Sequence, residues 1–508
     1  MEWLKRLFGR EVREGNTRDA PEDGLETAQE RRRRWRSVYV IYFTMFQMSL
    51  GFSIVLTGVW PYLDMLQPGT KKEMLGVAVG ASPLGQLLLS PLLGLWANRA
   101  GVRAPLSATL GLFALASALY SQLHLTRPYA VSCMIAARFL IGVSSSNVAV
   151  ARAYLSAATR EEERTRAVSA VSLAQVLGFV AGPALQAAAA PLGTSVSAGL
   201  RFDMYSAPGL LNAALGLINL LLLMPGCFHI SDIAVREAVQ ARGERSEKEV
   251  LKSLKPDYVS SWMLVGAFFV LVFNFVLLET LASTLTMEQF GWGKAQALQY
   301  LGALMSAGAL VACLVFAAIP PLTKLVEERA LMLWGGFLPV VVASLLCIPW
   351  GPGAPPLADP GNAEANGGCP QDTQPWCAES RALTLAQFLL AYGCMSVGYP
   401  LGVTLIQTIF SKVLGPRPQG VWMGVLTGAG CLSRALGPVF VAGVYAERGP
   451  AAAFSATAAV TLMALVALRV VYPRLRPAPP AQPPHPLNCS RSQTSRYMLN
   501  LDLSIIHL

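Results

Sequence analysis

MIAARFLIGVSSSNVAVARAYLSAATR, residues 134–160, reads as an apolar helix that carries two arginines along its length. Lipid satisfies none of the five donors of a guanidinium, so Arg138 in this company needs an aqueous cavity or a protein partner. Taken as a span that starts near Pro128, the stretch puts Arg138 about 15 Å in, near mid-bilayer. Arg152, fourteen residues on, is expected at the cytosolic interface, where a long side chain reaches the headgroups at little cost.

Apolar blocks of about twenty residues recur on either side of this one, each long enough to cross a hydrocarbon core of about 30 Å. Six lie between Ser37 and Phe228, and six between Val259 and Tyr472. With 53% apolar and only 14% charged residues, the chain is expected to be an all-α membrane protein of twelve spans. The opening residues, MEWLKRLFGREVREG, are charged and lack the apolar core of a cleavable leader, so the first span is expected to be retained.

The formal charge of +10 does not point to nucleic acid once its placement is considered. Residues 1–36 hold ten Lys/Arg, including RRRRWR, and 229–258 hold six; the loops on the opposite side hold seven in all. The positive-inside rule then puts both termini and the central loop in the cytosol, with Arg31 to Arg34 also near anionic headgroups. The expected order is a basic cytosolic tail (1–36), a six-helix bundle (37–228), a cytosolic linker (229–258), a second six-helix bundle (259–473) and a disordered cytosolic tail (474–508). The linker suits a short amphipathic helix or a tether equally. The tail is rich in proline and serine, and its one glycosylation sequon, at Asn488, is silent in the cytosol.

The two sets of six spans look like copies. Gly142 precedes Gly182-Pro183 by 40 residues, and Gly398 precedes Gly437-Pro438 by 39. Six spans plus six in parallel, with a cytosolic hinge, make two bundles around a central cavity. Arg138, Arg434 and Glu279 are the charges deepest in the spans, with Asn147 and Asn274 as further polar candidates for the cavity wall. Two cations against one carboxylate make a net positive interior that favours anions; pairing of Glu279 with an arginine is the structural alternative. Glu279 is also the single deep carboxylate available for proton coupling. Gly142, Gly178, Gly182, Pro183, Gly437 and Pro438 are expected at hinges or close helix packing.

Cys369 and Cys377 occupy the longest non-cytosolic loop, in an oxidising compartment, and are expected to form a disulfide. Nothing in the sequence reads as a metal site, a cofactor motif or a catalytic dyad. The four histidines, His124, His229, His485 and His507, fall in loops or tails, so an enzyme is not expected.

GLWANRAGVR, residues 94–103, resembles the signature loop G-x-x-x-D-R-x-G-x-R of the major facilitator superfamily. RFLIG resembles its fourth-span R-x-x-x-G pattern, and Gly178 with Gly182-Pro183 its G-x-x-x-G-P element. The resemblance implies a gating loop of Gly94, Asn98, Arg99, Gly101 and Arg103, in which Asn98 replaces the usual Asp. It implies transport without a cofactor. RWRSVYVIYFTMF, GVWPYL, SPLLGLWAN, NVAVARAY, ETLASTLTM, GPRPQGVWMG and SRALGP are similar, in collinear order, to an endolysosomal branch of the superfamily. That branch implies a small anion, most simply chloride, as the substrate, and the bilayer as the only other partner. Two other readings stay open: a proton-coupled carrier of an organic anion or other metabolite, and a non-transporting scaffold or sensor. The branch's N-terminal acidic dileucine signal is absent, which leaves the plasma membrane as the alternative to the endolysosomal one.

Overall fold

The computed structural model describes residues 25–476, apart from 56–57, 68–72, 127–128, 190–194, 198–199, 243–256, 359–367 and 372–373. The tail expected to be disordered, from 477 on, and most of the N-terminal tail lie outside the described residues.

The first half comprises α1 (Ala28–Ser53), the short α2 (Val59–Leu66), α3 (Glu73–Ala100), α4 (Arg103–Ser121), α5 (Ala130–Ser145), α6 (Asn147–Ala157), α7 (Glu161–Ala189) and α8 (Ser206–Leu222). The fourth span is α5 followed directly by α6. The second half comprises α10 (Tyr258–Phe290), α11 (Lys294–Leu325), α12 (Glu328–Leu346), α13 (Leu385–Leu414) and α14 (Gly420–Val471). Between the halves, α9 (Ile233–Arg242) supplies the helix that the linker composition permits.

Among the described residues, ten stretches are long and apolar enough to cross a membrane by themselves. The first span is α1, whose opening turns are basic, and the sixth is the 17-residue α8. The eleventh and twelfth spans form one continuous element, α14, broken at Gly449. Its φ of 75° suits a residue without a side chain, and a Cβ there would lie 2.7 Å from the Trp376 ring.

Three details depart from expectation. The basic run Arg31–Arg34 lies inside α1, which begins at Ala28 behind a capping box of Thr27 and Glu30. Arg34 turns inward, not toward headgroups: it pairs with Glu26 at 2.7 Å and Glu163 at 2.8 Å, and donates to the Ala158 carbonyl at 2.9 Å. An antiparallel hairpin, Ser195–Ser197 with Leu200–Phe202, stands between the fifth and sixth spans of an otherwise helical chain.

Among the described residues the apolar core falls into three clusters, the largest of which joins Ala153 and Leu173 of the first half to the second. That one centres on Leu271, Phe337, Leu405 and Phe410; the other two lie in the first half, around Ile41, Phe113 and Val150 and around Val59, Leu63 and Met134. Within the first half glycines permit near-contact of backbones. A Cβ on Gly142 would lie 2.0 Å from the Ser82 carbonyl oxygen, and one on Gly178 2.2 Å from that of Phe46.

The two ends of the molecule are unlike. One, the basic face, carries Arg99, Arg160 and Lys412. The other carries the bonded pair Cys369–Cys377, with Cα atoms 5.9 Å apart. At that disulfide face, Glu288 of α10 accepts from Tyr445 of α14 at 2.6 Å and from Gln374 of the disulfide loop at 3.2 Å. Trp376 stands edge-on to Tyr445, with centroids 5.4 Å apart.

Candidate functional site

The halves meet along the basic face and at mid-depth. Gly94 of α3 and Gly420 of α14 touch through their backbones, and Asn98 Oδ1 accepts from the Gly420 N–H at 2.9 Å. One turn on, Gly424 packs against the Ser90 carbonyl, and Gly428 lies beside Leu87. Arg164 donates to the Ser411 carbonyl at 3.4 Å, Thr165 bonds Glu328, and Lys412 pairs with Glu328 at 2.9 Å. Arg152 Nη1 donates to Thr427 at 3.1 Å, and Thr404 to Ser172 at 3.4 Å. Of these, the Lys412–Glu328 pair lies within the second half and holds the carboxylate that Thr165 reaches; the others cross the boundary.

Above this closure the second half presents a polar wall. Glu279, Thr280, Ser283 and Thr284 are all exposed, although they sit in the middle of an apolar helix. Spaced i, i+1, i+4 and i+5, they form one stripe along α10. Arg434 of α14, also exposed, stands about 21 Å from the start of its helix at Gly420. Tyr399 of α13 lies beside the Arg434 guanidinium and within electrostatic reach of Glu279 and Arg152. Its ring stacks on Phe275, with centroids 4.3 Å apart. Tyr392, about two helical turns earlier on α13, lies within electrostatic reach of Glu279. Arg434 and Glu279 feel each other's charge without a direct ion pair among the described residues. The second half thus carries an exposed cation and an exposed anion on one wall, on the disulfide-face side of the layer of Arg152, Thr427, Ser172 and Thr404 where the halves bond; the space that wall faces is called the vestibule below.

The residues expected to share the cavity do not all reach it. Arg138 is fully buried inside the first half. Its Nε donates to the Ala78 carbonyl at 3.3 Å, and its guanidinium lies 5.6 Å from the Phe52 ring. Neither Nη has a protein partner. Asn147 is equally buried, with both amide atoms unpartnered. Asn274 is a clasp within the second half: it donates to Thr461 at 2.6 Å and accepts from Ser344 at 3.1 Å, tying α10 to α12 and α14. Arg152 does not extend to headgroups, because the boundary with the other half offers it the Thr427 hydroxyl.

The residues expected in a gating loop take the following places. Gly101 takes φ 80°, the left-handed turn between α3 and α4, and Arg103 donates to the Phe228 carbonyl at 2.6 Å. Arg99 is exposed. Gly182 packs on Ser53 and Ile54, and Gly437 lies beside Val276. Helices α7 and α14 continue through Pro183 and Pro438, so these pairs serve helix packing, and the chain's break falls at Gly449.

The stripe after Glu279 and the tyrosines of α13 were not singled out from sequence. ETLAST carries the signal for the first, four polar residues on one face of an otherwise apolar span. Tyr399 has no comparable signal, since aromatic residues are common in spans.

The descriptive model of the Major Facilitator Superfamily matches residues 40–359. The chain is 34% identical over 482 residues to major facilitator superfamily domain-containing protein 8 of Xenopus laevis, covering 89% of this chain and 94% of the relative. Among solved structures it is similar to the human organic anion transporter MFSD10 (TETRAN), with TM-score 0.59 at 20% identity, over 86% of this chain and 99% of that one. It is also similar to the proton:xylose symporter XylE bound to 6-bromo-6-deoxy-D-glucose, with TM-score 0.63 at 11% identity, over 88% and 98% of the two chains.

Proposed function

The chain belongs to the major facilitator superfamily, and on that premise we propose that it carries an anion across an endolysosomal membrane by alternating access, with Arg434 as the anion's seat. The basic face is cytosolic in this reading, and the vestibule opens to the lumen. The observation that carries it is the exposed Arg434 guanidinium above a closed floor. An anion entering the vestibule meets a cation there and can go no further until the closure at Gly94 and Gly420 parts. Chloride is the simplest occupant. Arg138, buried with no carboxylate partner among the described residues, adds positive potential without touching the ion.

A second reading, a proton-coupled carrier of an organic anion, is favoured by one specific arrangement. Glu279 shares the wall with Arg434, and the Phe275–Tyr399 stack between the helices offers an apolar platform that a monatomic ion does not need. The similarity to a solved organic anion transporter supports the same choice of substrate class.

Flux from purified protein in liposomes tests both. A chloride-driven anion flux without a pH gradient, reduced about tenfold or more in Arg434→Ala, supports the first; loss of a charge-assisted contact has that scale. Uptake of an organic anion that needs a pH gradient and disappears in Glu279→Gln supports the second. Full activity in both variants would remove this wall from the pathway.

A further inference from the structure

In the layer where Arg152 meets the second half, a gap of about 10 Å³ lies between the halves. Arg152 and Ser156 of α6 line it from one side, Gln407 and Ser411 of α13 from the other. Val168 of α7 and Met423 of α14 add apolar walls. The space admits about one water-sized particle. We propose that the gap holds a single monatomic anion, a halide such as chloride, and that the ion ties the two halves together in the closed state. This ion is a fixed ligand of the closure, distinct from the anion carried at Arg434, and its binding stands whichever substrate the charged wall accepts.

Three observations carry the proposal. The first is uncompensated charge. Arg152 makes no ion pair among the described residues, and no carboxylate lines the gap. Its Nη1 donates to Thr427, a neutral partner, and the charged residue within its electrostatic reach is Arg434, a second cation. The second is unmet donors. Arg152 Nε is buried without a partner, and Gln407, only 3% exposed, has neither end of its amide bonded. The amide can therefore turn its nitrogen to the gap without breaking a bond. The carbonyls of Ser156 and Ser411, which could have served these donors, already accept from Arg164. The third is size, which leaves no room for an organic, phosphate or sulfate anion. A water in the gap would satisfy the donors but leave the guanidinium charge unpaired in an apolar layer, where an unpaired ion is costly. A halide accepts from both N–H groups and neutralises the charge as well. Because Arg152 comes from one half and Gln407 from the other, the site is complete only while the halves are joined. Anion binding and closure therefore favour one another.

The test uses the full chain in phosphatidylcholine nanodiscs at constant ionic strength, with potassium chloride exchanged for potassium gluconate. Thermal unfolding is followed by tryptophan fluorescence. Chloride is expected to raise the unfolding temperature saturably, and sulfate, too large for the gap, to give no such rise. Gln407→Leu, which removes one donor, should weaken the apparent chloride affinity about tenfold, the scale of a hydrogen bond to a charged group. Gln407→Glu supplies the negative charge from the protein itself. It should unfold at a higher temperature than the parent in gluconate and no longer respond to chloride. Gly94→Ala, which disfavours closure from a distance, should weaken the response, and an undiminished one there would break the link to the closed state. No rise with chloride, an equal rise with sulfate, or an unchanged rise in both Gln407 variants would overturn the site. A rise lost in Arg434→Ala but kept in both Gln407 variants would assign the ion to the charged wall, which overturns this proposal and leaves the transport reading standing.

Discussion

Gly94 and Gly420 face one another across the boundary with no space for a methyl group on either. A Cβ on Gly94 would lie 2.1 Å from the Gly420 carbonyl oxygen, and one on Gly420 would lie 2.3 Å from that of Gly94. Both obstacles are backbone, so neither can swing aside. Gly94→Ala is expected to penalise the closed state by about 1–3 kcal/mol, the range for forced overpacking. The vestibule floor then opens toward the basic face. A cysteine placed at Gln407, which lines the small gap beside Arg152 between the halves, should be alkylated faster in Gly94→Ala than in the parent, in a background without reactive thiols. Equal rates would mean that the closure does not depend on this approach.

Asn98 gives the same closure a graded control. Its amide oxygen caps the first N–H of α14 from the opposite half, a neutral bond at a positive helix end. Asn98→Asp keeps the geometry and adds a charge that the helix dipole favours by about 0.3–1 kcal/mol. The same Gln407 cysteine is expected to label more slowly in this variant, and more quickly in Asn98→Ala, which loses the cap. An unchanged rate in both would show that the bond is not part of the gate.

On the opposite face, the Cys369–Cys377 bond closes a short loop that holds Trp376 against Tyr445 and Gly449. Cys377→Ser is expected to cost about 2–3 kcal/mol by loop entropy, seen as a lower unfolding temperature that reductant does not lower further. The parent should fall to the same temperature under reductant. If reductant leaves the parent unmoved, the bond contributes nothing to stability.

The linker helix α9 docks through Glu237, which accepts from the Glu161 N–H at 3.0 Å and so caps α7. Burial raises the Glu237 carboxyl above its ordinary value of 4.5, with the charge of Glu161 adding to it; the Glu161 N–H and the Arg164 charge oppose the shift. A carboxyl whose folded value is raised binds its proton more tightly when docked. Its contribution is therefore complete below about pH 4.5 and is lost as the pH rises through the raised value. Hydrogen exchange over residues 233–242 should speed up across that window. In Glu237→Gln the exchange, corrected for intrinsic rate, should lose this dependence.

Sequence and structure agree best where chemistry leaves one solution. Twelve apolar blocks, the glycine spacing of residues 94–103 and two cysteines in one loop each allow a single arrangement. Agreement fails where a side chain has a choice of surroundings. Arg138 and Arg434 look alike in sequence, each a guanidinium deep in an apolar span, yet one faces the interior of its bundle and the other is exposed on the charged wall. Helical phase relative to neighbouring helices decides that, and it depends on packing of residues far apart in the chain. Asn274 was legible as polar and in-span and Arg152 as interfacial, but their partners, Thr461, Ser344 and Thr427, sit on helices that only the fold brings near.

The lacing at the disulfide face has a consequence for how the molecule moves. Glu288, Gln374, Trp376, Tyr445 and Gly449 join the seventh span, the loop before the tenth and the turn between the eleventh and twelfth into one braced rim. In the proposed cycle the second half is therefore expected to move as one body, with its charged wall intact. In that cycle the halves part where Gly94 and Ser90 meet Gly420 and Gly424.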